Sequence, residues 1–445
     1  MGADKKERTL KMEDILRKEI MPGVFLNCLK SGKFKTSIIS ITLLSQLRRE
    51  TASMNALIPF VLKRGTTLYP DMKSLSEKLD DLYGAALEPA IRRCGEIQGI
   101  GLDAMFPEEK YLPEGANVTL EMINLISEML LRPATRGGLL INDYVKSEKQ
   151  NLADLVSSFI NEKRSYANMR CMEEMCCYED ISIGKYGSVE DINNINYKKL
   201  TKQYHNLLMH SPVEIFYFGQ TDEKNVERMF KNALCSMPRG EIDFDIGTDV
   251  RMNSVEDKPR YFEEKLDVTQ GKLVMGFRLG ECMEEPNIPA IQVFNTVFGG
   301  GVNSKLFNNV REKMQLCYYA ASSCDCHKGI MYAYSGIEFD KFEKAKDEIL
   351  HQLDDIRIGN ISDDELMYAK KAIRSDLYAM TDSQYDLENF YFSNTLAGLD
   401  WNPLELAGLV DEVTKEDVMK IAGSVVLDLI YFLRDEEKND DDDKD

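Results

Sequence analysis

The strand and helix signals of this chain run through once and then begin again, and that repetition constrains its fold more than any single motif. In the first pass, "GVFLNCL" and "TSIISITLL" are β-branched, apolar strand signals around the turn "KSGKFK". "MNALIPFVLKRG" reads as an apolar helix stopping at Gly65, and "MKSLSEKLDDLYG" as an amphipathic helix stopping at Gly84. "AALEPAIRR" and "EIQGIGLDAMF" form a strand pair, "NVTLEMINLISEMLLRP" is a helix, and one long helical stretch covers Leu140 to Cys177. "SPVEIFYFGQ" is a buried strand.

After a polar, irregular stretch the order repeats, with strand "KLVMGFRLG", helices "NIPAIQVFNTVFGG" and "NSKLFNNVREKM", strands "QLCYYAASS" and "GIMYAYSGIEF", two further helices and the closing strand "SVVLDLIYFL". A gapless overlay sets "LDDLYGAALEPAIRR" from Leu79 on "VREKMQLCYYAASSC" from Val310. Identity is poor, so the order of elements carries the duplication. The expected fold is α+β, with two similar halves, each a mostly antiparallel sheet packed with helices, forming a clam-shell. The expected divisions are an N-terminal domain at 1–235, a linker at 236–260, a C-terminal domain at 261–434 and an acidic, disordered tail at 435–445.

Composition excludes several classes of function. The net charge is −20, and the tail "DEEKNDDDDKD", with eight acids and two lysines, accounts for −6 of it. A strongly acidic body argues against a nucleic-acid surface, which needs clustered Lys and Arg. No apolar run approaches membrane-spanning length, and the N-terminus is charged throughout, so a soluble, cytoplasmic protein is expected. Ten cysteines in 445 residues are too sparse for a disulfide scaffold. Those in apolar patterns, such as Cys28, Cys94, Cys235 and Cys317, read as buried free thiols.

The chain has four histidines, His205, His210, His327 and His351, and none precedes residue 205. No two are four apart beside a glutamate, so no helical zinc site of that type can form. His205 and His210 lie on different faces of a helix and read as solvated or capping groups. "CDCH", Cys324 to His327, offers three soft ligands with no second cluster to complete a metal site. "FGGG" lacks the Lys-Ser/Thr of a phosphate loop. On a helix beginning near Ser304, Leu306, Val310 and Met314 line one face, with Phe307 at its edge and Arg311 at its flank. Tyr318 opens the next strand, sharing a face with Ala320 and Ser322 and opposing Cys317 and Tyr319. By periodicity alone, Arg311 is a snorkelling flank residue and Tyr318 a packed sheet residue.

The stretch "GGGVNSKLFNNVREKMQLCYYAASS" nevertheless resembles the C-terminal-half signature of the pitrilysin/insulinase zinc peptidases, the inverzincins: a glycine turn, a helix S-x-L-F-x-x-V-R-E-K, and a G-L-x-Y strand start. Gln315 stands where the usual glycine would be. The resemblance implies that Arg311 and Tyr318 match the Arg and Tyr that family members use across the cleft from zinc. The zinc motif H-x-x-E-H lies in the first half of such proteins. Counting back from Gly65 in "MNALIPFVLKRGTTLYP", its two histidines fall on Ala56 and Phe60 and its glutamate on Pro59. None can ligate zinc or accept a proton from water. Glu148, near the downstream ligand region, reads as surface charge without those histidines.

The resemblance therefore implies a subunit that binds no cofactor itself. Its partner would be a zinc-bearing subunit of the same family, with zinc in that partner, and together they would cleave small or unfolded peptides. Bacterial paired peptidases are the pattern it resembles, with no nucleic acid or membrane involved and a homodimer also allowed. The alternative is a non-catalytic peptide-binding or scaffold protein that kept the fold. A third reading, an unrelated enzyme built on "CDCH", needs a bound metal.

Overall fold

The computed structural model describes residues 15–280 and 287–436. The charged N-terminus and nearly all of the acidic tail lie outside the described residues. The first half contains strands β1 (Leu16–Met21), β2 (Val24–Lys30), β3 (Thr36–Gln46), β4 (Ala86–Cys94) and β5 (Ile97–Pro107), the two-residue strands β6 (Thr135–Arg136) and β7 (Leu139–Leu140), and β8 (Val213–Gly219). The second half contains β9 (Arg260–Lys265), β10 (Gly271–Arg278), β11 (Cys317–Asp325), β12 (Ile330–Ile337) and β13 (Val426–Arg434).

The first sheet has six strands in the order β1-β2-β8-β3-β5-β4, and the second has five in the order β11-β12-β10-β13-β9. Removing β1 makes the two topologies equivalent. In each, the opening strand pairs parallel with the closing strand (β2 with β8, β9 with β13), and every other pairing is antiparallel. The overlay of Leu79 on Val310 also sets Ala86, the first residue of β4, on Cys317, the first residue of β11. The fold is thus α+β, built from two similar halves.

The first half's helices are α1 (Arg49–Leu62), α2 (Met72–Asp81), α3 (Val118–Leu131), α4 (Asn142–Ser158), α5 (Lys163–Met175), α6 (Val189–Asn193), α7 (Tyr197–His210) and α8 (Glu223–Ala233). The second half's are α9 (Asn287–Asn295), α10 (Phe342–Arg357), α11 (Asp363–Met380), α12 (Gln384–Ala397), α13 (Pro403–Glu412) and α14 (Lys415–Ser424). The single long helix expected over 140–177 is instead α4 and α5, separated by a 3₁₀ turn at Phe159–Asn161. Helix α11 opens as its sequence predicts: Ser362 and Glu365 form a reciprocal capping box. Residues 235–259 form neither helix nor strand but remain tied down, with Asp243 N–H donating to His210 O at 2.8 Å and Glu96 N–H to Thr248 Oγ1 at 3.0 Å.

The halves exchange helices. β8, "VEIFYFG", is buried along its whole length because both of its faces are covered. Val213, Ile215 and Tyr217 point into the first half's own core, while Phe216 and Phe218 pack with Leu387, Tyr391 and Phe392 of α12, which comes from the second half. Reciprocally, α5 of the first half lays Ala167, Cys171 and Met175 against Val274, Leu429 and Tyr431 of the second sheet. The approach is close enough that a Cβ on Gly276 of β10 would sit 2.6 Å from Met175 Sδ, so glycine is required there.

A buried chain of charges locks this exchange. Arg278 is bidentate to Glu179 (2.6 and 3.0 Å) and donates through Nε to Asp428 (2.9 Å). Lys328 bridges Glu96 (2.6 Å) and Glu179 (2.7 Å), and Arg260 completes the set on Asp428 (3.0 Å). Glu96 and Glu179 belong to the first half and the others to the second, so the network pins one half to the other.

Candidate functional site

The motif position of the first half is a core position. Ala56 and Pro59 of α1 are buried, Phe60 is partly buried, and all three pack in the apolar core. None offers a ligand atom. Glu148 corrects the sequence reading: it is buried on α4, not a surface charge, and accepts from Arg64 Nη1 at 3.1 Å. Arg64 lies one helical turn beyond Phe60 and also stacks on Tyr144, 5.3 Å from its ring centre. A guanidinium thus already occupies the carboxylate beside the emptied motif. These residues do not fit a zinc ion.

The second-half position is different in kind. The helix leading to it, Leu306–Lys313, is wound as a π-helix, with Met314 N–H reaching Asn309 O at 3.0 Å. The wider turn rotates Met314 off the face of Leu306 and Val310. Those two are buried, whereas Met314 is exposed, contrary to the face expected from helical spacing. The chain then reverses at Gln315, whose φ of 51° lies in the left-handed region. In the internal overlay Gln315 falls on Gly84, whose φ is 74°. The turn demands the same backbone in both halves, and only the first supplies glycine.

Leu316 N–H closes this turn on Val310 O at 3.0 Å, bringing Arg311 to the start of β11. Arg311 stacks 4.7 Å above the centre of the Phe307 ring and, among the described residues, pairs with its neighbour Glu312, at 3.6 Å, in a solvent-facing ion pair worth little. Its charge reaches Cys317: burial pushes that thiol up, and Arg311 is among the groups opposing the rise.

Tyr318 is the extra residue of a β-bulge. Cys317 pairs with Ile337 and Tyr319 with Gly336, leaving Tyr318 without a partner on β12. The bulge corrects the expected sharing of a face with Ala320 and Ser322. Those residues are buried, whereas Tyr318 is 66% exposed on the edge strand of its sheet. The equivalent position in the first half is Leu87, 1% exposed. Arg311 therefore lies near the start of β11, where Tyr318 is exposed, while Ala56, Pro59 and Phe60 lie in the first half's own core.

The remaining candidates have structural partners. His327 is half-buried, donates to or accepts from Ser393 Oγ through Nε2 at 2.7 Å, and is shifted down by burial. Burial pushes the Cys324 thiol well up. No group of three or more His, Cys, Asp or Glu side chains converges as a metal site among the described residues. His210 Nδ1 meets Glu241 O at 2.7 Å, and His205 lies against Tyr204. Of the cysteines expected to be buried, Cys28 is, Cys94 and Cys317 are half-buried, and Cys235 at the end of α8 is exposed.

Comparison with known proteins gives the family of this chain. Residues 194–373, which include Arg311 and Tyr318, match the family described as the Peptidase M16 inactive domain. A Bacillus subtilis (strain 168) protein named "Probable inactive metalloprotease YmfF" is 30% identical over 414 residues, covering 93% of this chain and 96% of that protein. The chain belongs to the M16 peptidase family, among its inactive members. The structure of a conserved protein from Enterococcus faecalis V583 superposes on this M16 chain with a TM-score of 0.87 and 26% identity, covering 96% of this chain and all of the other. The M16 inactive domain of Pseudomonas fluorescens shares the fold at a TM-score of 0.77 and 14% identity, over 95% and 98% of the two chains. The clam-shell architecture expected from the sequence is that of the M16 fold. No helix among the described residues is long and apolar enough to cross a membrane.

Proposed function

We propose that this chain is the zinc-less subunit of a two-chain peptidase. It lends Arg311 and Tyr318 to a reaction whose zinc is held by a second, zinc-bearing M16 subunit. The observation that supports this reading best is the exposure of Tyr318. A bulge turns a large aromatic side chain out to solvent at a position where the duplicated half buries a leucine. Packing alone gives no reason for that expenditure of apolar surface.

In this reading an extended peptide adds to the exposed edge of β11 through main-chain hydrogen bonds. The Tyr318 phenol donates to the carbonyl oxygen on which negative charge develops, and the Arg311 guanidinium holds a neighbouring substrate carbonyl. Donors placed in this way act only when the partner closes over them and excludes water. In this reading the attacking water is activated by the partner's zinc and not by this chain. The experiment is reconstitution. The purified chain should cleave no peptide, and adding the zinc-bearing subunit from the same cell should restore cleavage of unstructured peptides. If the zinc-bearing subunit is fully active alone and unchanged by this chain, the proposal fails and the peptide-binding or scaffold reading takes its place.

A further inference from the structure

The seam between the halves forms an open cavity of about 720 Å³, within the size range of small-ligand pockets. Helix α5 lines one wall with Asn168, Met169 and Met172. Phe159 and Tyr186, with ring centres 5.9 Å apart, lie beside it, and Tyr332 of β12 enters from the second sheet. Most of this lining is apolar, but its charges are unusual for an acidic chain.

Two cations line the cavity without a carboxylate partner among the described residues. Arg93, near the end of β4, donates only to Ile181 O and Met172 Sδ, both at 3.3 Å. Lys185 Nζ donates to Ile91 O at 3.0 Å. Among the described residues the cations Arg92, Arg278 and Lys328 each contact two carboxylates and Lys305 one, whereas Arg239 meets only backbone carbonyls. The one carboxylate lining the cavity, Glu173, is engaged by Arg170 at 2.6 Å. Burial first, and then the charges of Arg93 and Arg92, shift the Lys185 ammonium down. Burial drives the Tyr332 phenol well up, and Arg93 is the cation opposing it. Arg93 is therefore within electrostatic reach of both groups.

Two residues that line the cavity each carry a buried polar atom without a hydrogen-bond partner among the described residues, Asn168 Oδ1 and Tyr332 Oη. Such atoms are uncommon, because each carries an uncompensated desolvation cost of roughly 1–3 kcal/mol. One is an acceptor lacking a donor, and the other can donate to an anion. A fatty acid or inorganic phosphate would satisfy the cations but leave Asn168 Oδ1 unpaired. A C-terminal peptide residue carries both a carboxylate and an N–H.

We propose that this cavity captures the C-terminal residue of a peptide with an apolar last side chain. Arg93, Lys185 and Tyr332 hold the carboxylate, Asn168 Oδ1 accepts the last peptide N–H, and Met169, Met172 and Phe159 surround the side chain. The inference rests on the peptide-handling reading above and adds to it a preference for free carboxyl ends.

The test is calorimetric titration of the full chain with a hexapeptide ending in leucine, as the free acid and as the C-terminal amide. The free acid should bind at least about tenfold more tightly than the amide, since charge-assisted hydrogen bonds are the stronger class. Arg93→Gln should abolish that preference. Tyr332→Phe, which removes a single oxygen, should weaken the free acid severalfold without lowering the thermal midpoint. Equal binding of acid and amide, no binding of the acid at millimolar concentration, or equal binding of an amidated peptide with an internal glutamate would each overturn the proposal. A failed pocket with intact reconstitution of cleavage removes only this inference. Selective acid binding without reconstitution leaves the cavity standing and removes the two-subunit reading.

Discussion

Replacing Lys328 by Met would test whether the charge network at the seam holds the halves together. Lys328 sits in the turn between β11 and β12, is fully buried, and contacts Glu96 at 2.6 Å and Glu179 at 2.7 Å. The connected set holds three cations, Lys328, Arg278 and Arg260, against three carboxylates, Glu96, Glu179 and Asp428. Methionine keeps the length and removes the charge, leaving one buried carboxylate in excess. Breaking a buried pair from one side costs about 3–5 kcal/mol. With an unfolding entropy of about 2.1 cal/mol/K per residue, that lowers the thermal midpoint of a chain this long by roughly 3–5 °C.

The pH dependence carries a sign. Burial pushes the Glu179 carboxyl up, but its bonds to Arg278 and Lys328 outweigh burial and leave it below its ordinary value. A depressed carboxyl stabilises the fold above its unfolded value, about 4.3, and loses that contribution as pH falls through the folded value. The share of the Lys328→Met deficit that comes through the depressed Glu179 carboxyl should therefore be full at pH 7 and be lost as pH falls below about 4.3. Denaturant titration at pH 4 and pH 7 measures both points, and the double change Lys328→Met/Glu96→Gln should recover part of the loss. A deficit below about 1 kcal/mol, the range of a surface pair, or one identical at both pH values, would refute the reasoning.

Three further outcomes follow from particular residues. Gln315→Gly should stabilise the chain by about 0.5–1 kcal/mol by relieving the left-handed backbone, and Gln315→Val should destabilise it, both read from denaturant midpoints. Rebuilding the zinc motif as Ala56→His/Pro59→Glu/Phe60→His should give no stoichiometric zinc by elemental analysis and should lose several kcal/mol of stability, because the new polar groups enter a packed core and Arg64 holds Glu148. Burial, and then the nearby Asp103 carboxylate, raise the Glu388 carboxyl even though Arg92 opposes them. A raised carboxyl removes stability as pH climbs above its unfolded value, so Glu388→Gln should flatten the stability profile between about pH 4.3 and 7.

The duplicated architecture was legible because hydrophobic periodicity survives where identity does not. The overlay of Leu79 on Val310 carried no convincing residue match, yet it aligned the first residues of β4 and β11 and the two left-handed turn positions, Gly84 and Gln315. The side chains of Ala56, Pro59 and Phe60 carry no ligand atoms, which the sequence states directly. Other features depend on partners distant in sequence. Nothing local marks Glu148 as buried, because its environment is made by Arg64. The π-helical winding that turns Met314 outward and the bulge that exposes Tyr318 depart from the ideal periods on which pattern reading relies. The exchange of α5 and α12 could have been suspected from β8, whose unbroken apolar run requires a cover on both faces, but the run does not name the helices that provide it. Arg93 and Lys185 carry no local sequence signal, because their hydrogen-bond partners, among them Ile181 O, Met172 Sδ and Ile91 O, are set by the fold.

The central claim is that Tyr318 serves chemistry carried out on another chain's metal. The most direct measurement is the single-turnover cleavage rate of the reconstituted pair, comparing the wild-type chain with Tyr318→Phe under conditions where both bind the zinc-bearing subunit equally. Removing one oxyanion donor should slow cleavage by about 10²–10³-fold with little change in peptide affinity. A rate unchanged by Tyr318→Phe would contradict the account and leave the exposed tyrosine without a catalytic role.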